Sequence, residues 1–85
     1  MNIIFSELAW EDYQSWEADR KTRKKIDDLL RDISRNGNVG LGKPEPLSGD
    51  LAGFWSRRIN HKDRLVYAVR DDGIYVAACR FHYSK

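Results

Sequence analysis

The sequence predicts an α+β fold: two N-terminal helices packed on one face of an antiparallel sheet, in the order β-α-α-β-β-β. Three observations predict it. Residues 6–36 carry apolar side chains at the spacing of amphipathic helices. Residues 54–83 form three apolar runs separated by turn sequences. Between them, residues 37–53 hold five of the six glycines and both prolines, so helical and extended patterns meet at a loop.

Ile3-Ile4-Phe5 is a short apolar start and reads as a strand. Ser6 is placed to cap a helix, with Glu7 favourable at its positive end. Ala9, Tyr13 and Trp16 then fall at i, i+4 and i+7, with Trp10 at the edge of that face. A second helix begins near Asp19. Ile26, Leu29, Leu30 and Ile33 form its apolar stripe, and Gly37 ends it. Its opposite face, with Lys21, Lys24, Lys25, Asp28 and Arg31, reads as solvated.

The Gly/Pro-rich stretch is longer than most connections in compact domains. Within it Glu45 lies between Pro44 and Pro46, which fix their own φ and restrict the residue before each. Three strands follow, Phe54–Ile59, Arg64–Arg70 and Ile74–Tyr83, joined by Asn60-His61-Lys62-Asp63 and by the hairpin signal Asp71-Asp72-Gly73. With no second composition block and no repeat, residues 1–85 read as a single domain.

The net charge of +2 is unevenly spread: the first 36 residues carry seven basic and eight acidic side chains, the remainder eight and five. Positive charge therefore collects with the strands and both histidines, a distribution that suits a polyanionic partner. No apolar run approaches the length of a membrane span, and the start lacks the pattern of a signal peptide, so a cytoplasmic protein is expected. Cys79 is the sole cysteine, which excludes an intramolecular disulfide and a cysteine-rich zinc site. The two histidines and scattered carboxylates show no metal-ligand spacing, and the glycines match no nucleotide fingerprint. No metal or cofactor is expected.

The chemistry-bearing residues are few. His82, in the terminal Arg80-Phe81-His82-Tyr83 run, is the side chain able to exchange protons near neutrality. Glu45 offers a carboxylate on a stiffened backbone, and Arg57, Arg58 and Arg64 offer fixed positive charge. A base, an acid and cations are the parts for cleaving a phosphodiester without a metal. In alternation Arg64, Val66, Ala68 and Arg70 share one face, and Arg80 and His82 share a side of the last strand. Taken singly, Arg57, Arg58, Arg64, Arg70 and Arg80 each read as a solvent-facing charge. Glu45 reads as a surface carboxylate, His61 as a turn residue, and Cys79 as a small buried hydrophobe.

Lys43-Pro44-Glu45-Pro46-Leu47, Gly53-Phe54-Trp55-Ser56-Arg57-Arg58-Ile59, Arg64-Leu65-Val66-Tyr67-Ala68-Val69 and Ala77-Ala78-Cys79-Arg80-Phe81-His82-Tyr83 together resemble the YoeB toxins of the RelE/ParE toxin–antitoxin superfamily. The resemblance implies a RelE-like fold and cleavage of messenger RNA in the ribosomal A site, blocking translation. It implies Glu45 as general base, Arg64 as the charge opposite the transition state, and His82 as general acid. Arg58, Tyr83 and Lys43 would hold the RNA. It further implies a YefM-type antitoxin as partner, a homodimer, and an upstream 2′,3′-cyclic phosphate as product. Some relatives carry lysine where this chain has Ser48, which removes a phosphate contact at that position. Two alternatives share the fold: a non-catalytic inhibitor, and an RNA-binding module that leaves no new RNA ends.

Overall fold

The computed structural model describes residues 1–80. The elements are β1 (Ile3–Phe5), α1 (Glu7–Ser15), α2 (Arg20–Asn36), β2 (Glu45–Pro46), a 3₁₀ turn (Gly49–Leu51), β3 (Trp55–Arg58), β4 (Arg64–Arg70) and β5 (Gly73–Ala78). The α+β class and the two N-terminal helices are as the sequence predicts.

Helix boundaries follow local chemistry. Ser6 Oγ accepts from Ala9 N at 3.0 Å and opens α1. Asp19 Oδ1 accepts from Thr22 N at 3.1 Å and opens α2. Gly37, at φ +66°, closes α2 by donating to Ile33 O. The predicted stripe of Ile26, Leu29, Leu30 and Ile33 is buried, facing Leu65, Tyr67, Ile74 and Val76 of the sheet. Each such side chain contributes about 1.5–3 kcal/mol relative to exposure.

Two features of the sheet differ from expectation. It is mixed: the strand order is β1-β5-β4-β3-β2, and β1 runs parallel to β5 at one edge. A partner about 70 positions away leaves no local trace, because only hairpin partners are marked by turns. The loop 37–53 also contributes structure, since Glu45 pairs with Ser56 and Pro46 with Trp55 as an antiparallel edge strand.

The last strand ends earlier than the apolar run that predicts it. The β4–β5 register shifts between Val66 and Tyr67, and the ladder stops at Ala78. Beyond it, Cys79 N donates to the buried Asp12 carboxylate at 2.9 Å, and Cys79 O accepts from Trp16 Nε1 at 2.9 Å. Both backbone groups of Cys79 are thus bonded to α1 and its C-cap, off the ladder. Among the described residues no helix is long and apolar enough to cross a membrane.

Candidate functional site

Cross-strand pairing assembles the site. Glu45 on β2 sits opposite Ser56 on β3, and Ser56 opposite Val66 on β4. Two rungs along, Arg58 faces Arg64. Paired residues share a face, so Glu45, Ser56, Arg58, Arg64 and Val66 lie on the side of the sheet away from the core of Trp55, Leu65 and Tyr67. The carboxylate therefore reaches the arginine face as an added edge strand, its register fixed by the ladder.

The same face opens into a cleft of about 650 Å³. Glu45 and Ser56 line one part, Arg64 and Val66 the floor, and His61 and Lys62 of the β3–β4 turn the rim, with Leu47 and Leu51 closing the loop side. His61, which alone reads as a surface turn residue, is exposed but faces this cleft. Only the register between β2 and β3, invisible in the sequence, puts that turn and Glu45 on the same hollow.

Arg64 is held by its own turn. Its Nη1 donates to Asn60 O at 3.0 Å, Asp63 O at 3.2 Å and His61 O at 3.4 Å. Asn60 Oδ1 in turn accepts from Lys62 N and Asp63 N, both at 2.8 Å, so the turn is internally bonded. The remaining guanidinium nitrogens of Arg64 make no hydrogen bond to described residues. Arg58, across the rung, is exposed and forms no ion pair among the described residues. Like charges directly opposite destabilise a strand pair, and an anion between them reverses the sign.

Arg57 departs from its sequence reading. It is fully buried, because its place in the alternation turns it toward the helices. One guanidinium nitrogen donates to Asp32 Oδ2 and Leu41 O, the other to Gly37 O and Val39 O, and Nε to Tyr67 Oη. Arg57 thus ties the end of α2 and residues 37–41 to the sheet. The Arg57 guanidinium, bonded to the Asp32 carboxyl, holds it below the usual carboxylate range, with Leu41 N and Asn36 assisting. A Cβ at Gly40 would collide with that carboxylate, and one at Gly42, where φ is +80°, would meet Arg58 O at 3.1 Å. The two glycines let the loop press onto the clamp and deliver Glu45 to the cleft.

Arg80 also departs from the expected basic face. It lies over the Trp16 ring at 3.9 Å and donates to Ser15 Oγ, so it belongs to the α1 side. Cys79 is buried as predicted, and burial pushes its thiol up to about 12, which removes it as a nucleophile near neutrality. Lys43 is exposed on the loop beside Glu45. His82 and Tyr83 lie outside the described residues.

Residues 5–83 match the model of a family described as the YoeB-like toxin of bacterial type II toxin–antitoxin systems. The chain belongs to this family. Toxin YoeB of Escherichia coli K12 is 54% identical over 84 residues, spanning 98% of this chain and all of that protein. Among solved structures, a YoeB–YefM complex from Staphylococcus aureus matches with a TM-score of 0.92 at 50% identity, covering 98% of both chains. A YoeB dimer from the same species matches with a TM-score of 0.91 at 52% identity, again over 98% of each. The chain is thus a toxin of a type II toxin–antitoxin system, and its fold is that of the YoeB toxins.

Proposed function

We propose that this toxin is an endoribonuclease that cuts messenger RNA in the ribosomal A site by acid–base catalysis without a metal. The observation that carries the proposal is the convergence of one carboxylate, Glu45, and one arginine, Arg64, on a single cleft, with Arg58 opposite Arg64 on the same face of the sheet. An arginine pair facing itself across a rung is unfavourable until an anion arrives, and the carboxylate two rungs away on the same face is a proton acceptor beside that anion.

The reaction follows from those roles. Glu45 takes the proton of an RNA 2′-hydroxyl, and the resulting oxygen attacks the adjacent phosphorus. Arg64, already oriented by the turn carbonyls, offsets the charge that develops on the phosphoryl oxygens. The P–O5′ bond breaks and His82 gives its proton to the departing oxygen, leaving a 2′,3′-cyclic phosphate and a free 5′-hydroxyl. Arg58, Lys43 and Tyr83 hold the RNA; Ser48 adds no charge. The ribosome supplies the orientation that a shallow cleft cannot impose on a flexible strand. By likeness to the YoeB–YefM complex and the YoeB dimer, we extend to this chain a YefM-type antitoxin partner and a homodimer; the proposed mRNA substrate makes the cytoplasm its site of action.

The test maps mRNA 5′ ends in a cell-free translation reaction. Wild type is expected to create ends within A-site codons, and Glu45→Gln and His82→Gln to lower that rate by roughly 10²–10⁴-fold each at equal folded protein. Blocked translation with intact RNA would replace the enzyme with the non-catalytic inhibitor.

A further inference from the structure

Past the Asp19 cap, the first two turns of α2 are crowded with like charge. Arg20, Lys21, Arg23, Lys24 and Lys25 place five cations within six residues, and no acidic residue occupies the first turn. The positive end of the helix dipole favours anions there. Arg20 with Lys24, and Lys21 with Lys25, are also like-charge pairs at i, i+4, which repel. Internal partners account for only part of the cluster: Arg23 lies over the Tyr13 ring and Lys24 pairs with Asp28 at 3.0 Å. Lys21 and Lys25 are exposed and form no ion pair among the described residues.

These two lysines do not face open solvent at random. With Thr22, Lys24, Asp28, Ile59 and Asn60 they line a groove of about 430 Å³ between α2 and the β3–β4 turn. Asn60 begins the turn whose next two residues, His61 and Lys62, rim the cleft holding Glu45 and Arg64. One turn is therefore the ridge between two hollows, with cationic side chains on both sides. Asp28, bonded to Lys24, is the one carboxylate of this lining, so three lysines with Thr22 and Asn60 leave the groove net positive and able to donate hydrogen bonds. A protein partner needs an apolar core to its interface, whereas a phosphate backbone needs cations and hydrogen-bond donors.

We propose that the Asn60–Lys62 turn and the Lys21/Lys25 groove continue the cleft as a track for the backbone of single-stranded RNA, leading the strand away from the cut site. This rests on the RNA-cleaving reading of the cleft and adds a second, non-catalytic stretch of contact to it.

The test titrates the full chain into a labelled single-stranded 2′-O-methyl oligoribonucleotide, whose capped 2′-oxygen cannot act as nucleophile, across a salt series. Each phosphate contact contributes about 0.7 to the slope of log K against log salt. The double variant Lys21→Gln/Lys25→Gln is expected to lower the slope by roughly 1.4, and the charge-matched Arg31→Gln/Arg35→Gln to leave it near wild type. Equal slopes in all three proteins, or equal losses in both double variants, overturn the track. A loss confined to an acidic polyglutamate probe does so too, and makes the patch a protein-docking surface. Both lysines are exposed and form no ion pair among the described residues, so the variant is expected to fold. If it does not fold, the single variants give the same reading at half the size. The uncuttable probe separates the two hypotheses. Divergent slopes with natural RNA left intact on ribosomes retire the nuclease and keep the track; cut RNA with equal slopes retires the track alone.

Discussion

Arg57 and Arg58 are adjacent in the chain and opposite in environment. Arg57 is fully buried and spends its guanidinium on Asp32, three loop carbonyls and Tyr67. Arg58 is exposed and faces Arg64 across a strand pair. The alternation of a β-strand alone separates them. The difference teaches where the molecule keeps stability and where it keeps chemistry. The buried arginine is satisfied within the fold and fixes the loop. The pair on the outer face of the sheet is left in mutual repulsion, which an incoming anion relieves.

The sharpest way to break the comparison is to remove one arginine of each kind. Arg57→Met leaves Asp32 without its guanidinium and frees three loop carbonyls. Breaking one side of a buried pair costs about 3–5 kcal/mol, and denaturant unfolding is expected to read a loss of that order. Arg64→Lys is expected to shift stability by under about 1 kcal/mol, since two of its three bonds to the turn are exposed and its loss of reach eases repulsion with Arg58. Its cleavage should nonetheless fail, because a point charge does not reproduce a planar fork on phosphate. Similar stability losses from both variants would erase the distinction.

Acid probes the same clamp more gently. The Asp32 carboxyl is depressed, chiefly by the Arg57 hydrogen bond. Its contribution is present above the unfolded carboxylate value of about 3.9 and is lost as pH falls through the lower folded value. Asp32→Asn cannot titrate. The stability gap between wild type and Asp32→Asn is therefore expected to be full at neutral pH and to narrow in acid below about pH 4. A gap that does not change over that range would assign the clamp to shape rather than charge.

The two arginines also mark how far the sequence reaches. Local patterns were legible: the Ser6 and Asp19 caps, the Gly37 stop, the stripe of Ile26, Leu29, Leu30 and Ile33, and the paired runs of β3 and β4 all depend on near neighbours in the chain. Motif resemblance pointed to the family and to Glu45, Arg58 and Arg64, which share the cleft face. What stayed hidden depends on partners far away in sequence. The parallel pairing of β1 with β5, the Asp12 and Trp16 bonds that turn Cys79 off the sheet, and the Asp32–Arg57 clamp each join residues 25 to more than 60 positions apart. Single-residue priors favoured the surface for Arg57, and only the loop carbonyls arriving around it reverse that preference.

The smallest effect sits between clamp and cleft, at Lys43. It is the one described non-glycine residue with positive φ, at +52°, directly after Gly42 and before Pro44. A left-handed conformation costs a side-chain-bearing residue roughly 1 kcal/mol that glycine does not incur. The clamp holds the preceding loop and the β2–β3 ladder holds Glu45, so Lys43 has no freedom to relax between them. Lys43→Gly is therefore expected to raise stability by about 0.5–1 kcal/mol, less the added entropy of the unfolded chain, while weakening RNA binding through the lost charge. Lys43→Asn keeps tolerance for the left-handed region without the charge, and should show the same weakening. Opposite signs for stability and RNA affinity would place Lys43 on the cleft side of the comparison. A loss of stability from both substitutions would show instead that its side chain supports the loop.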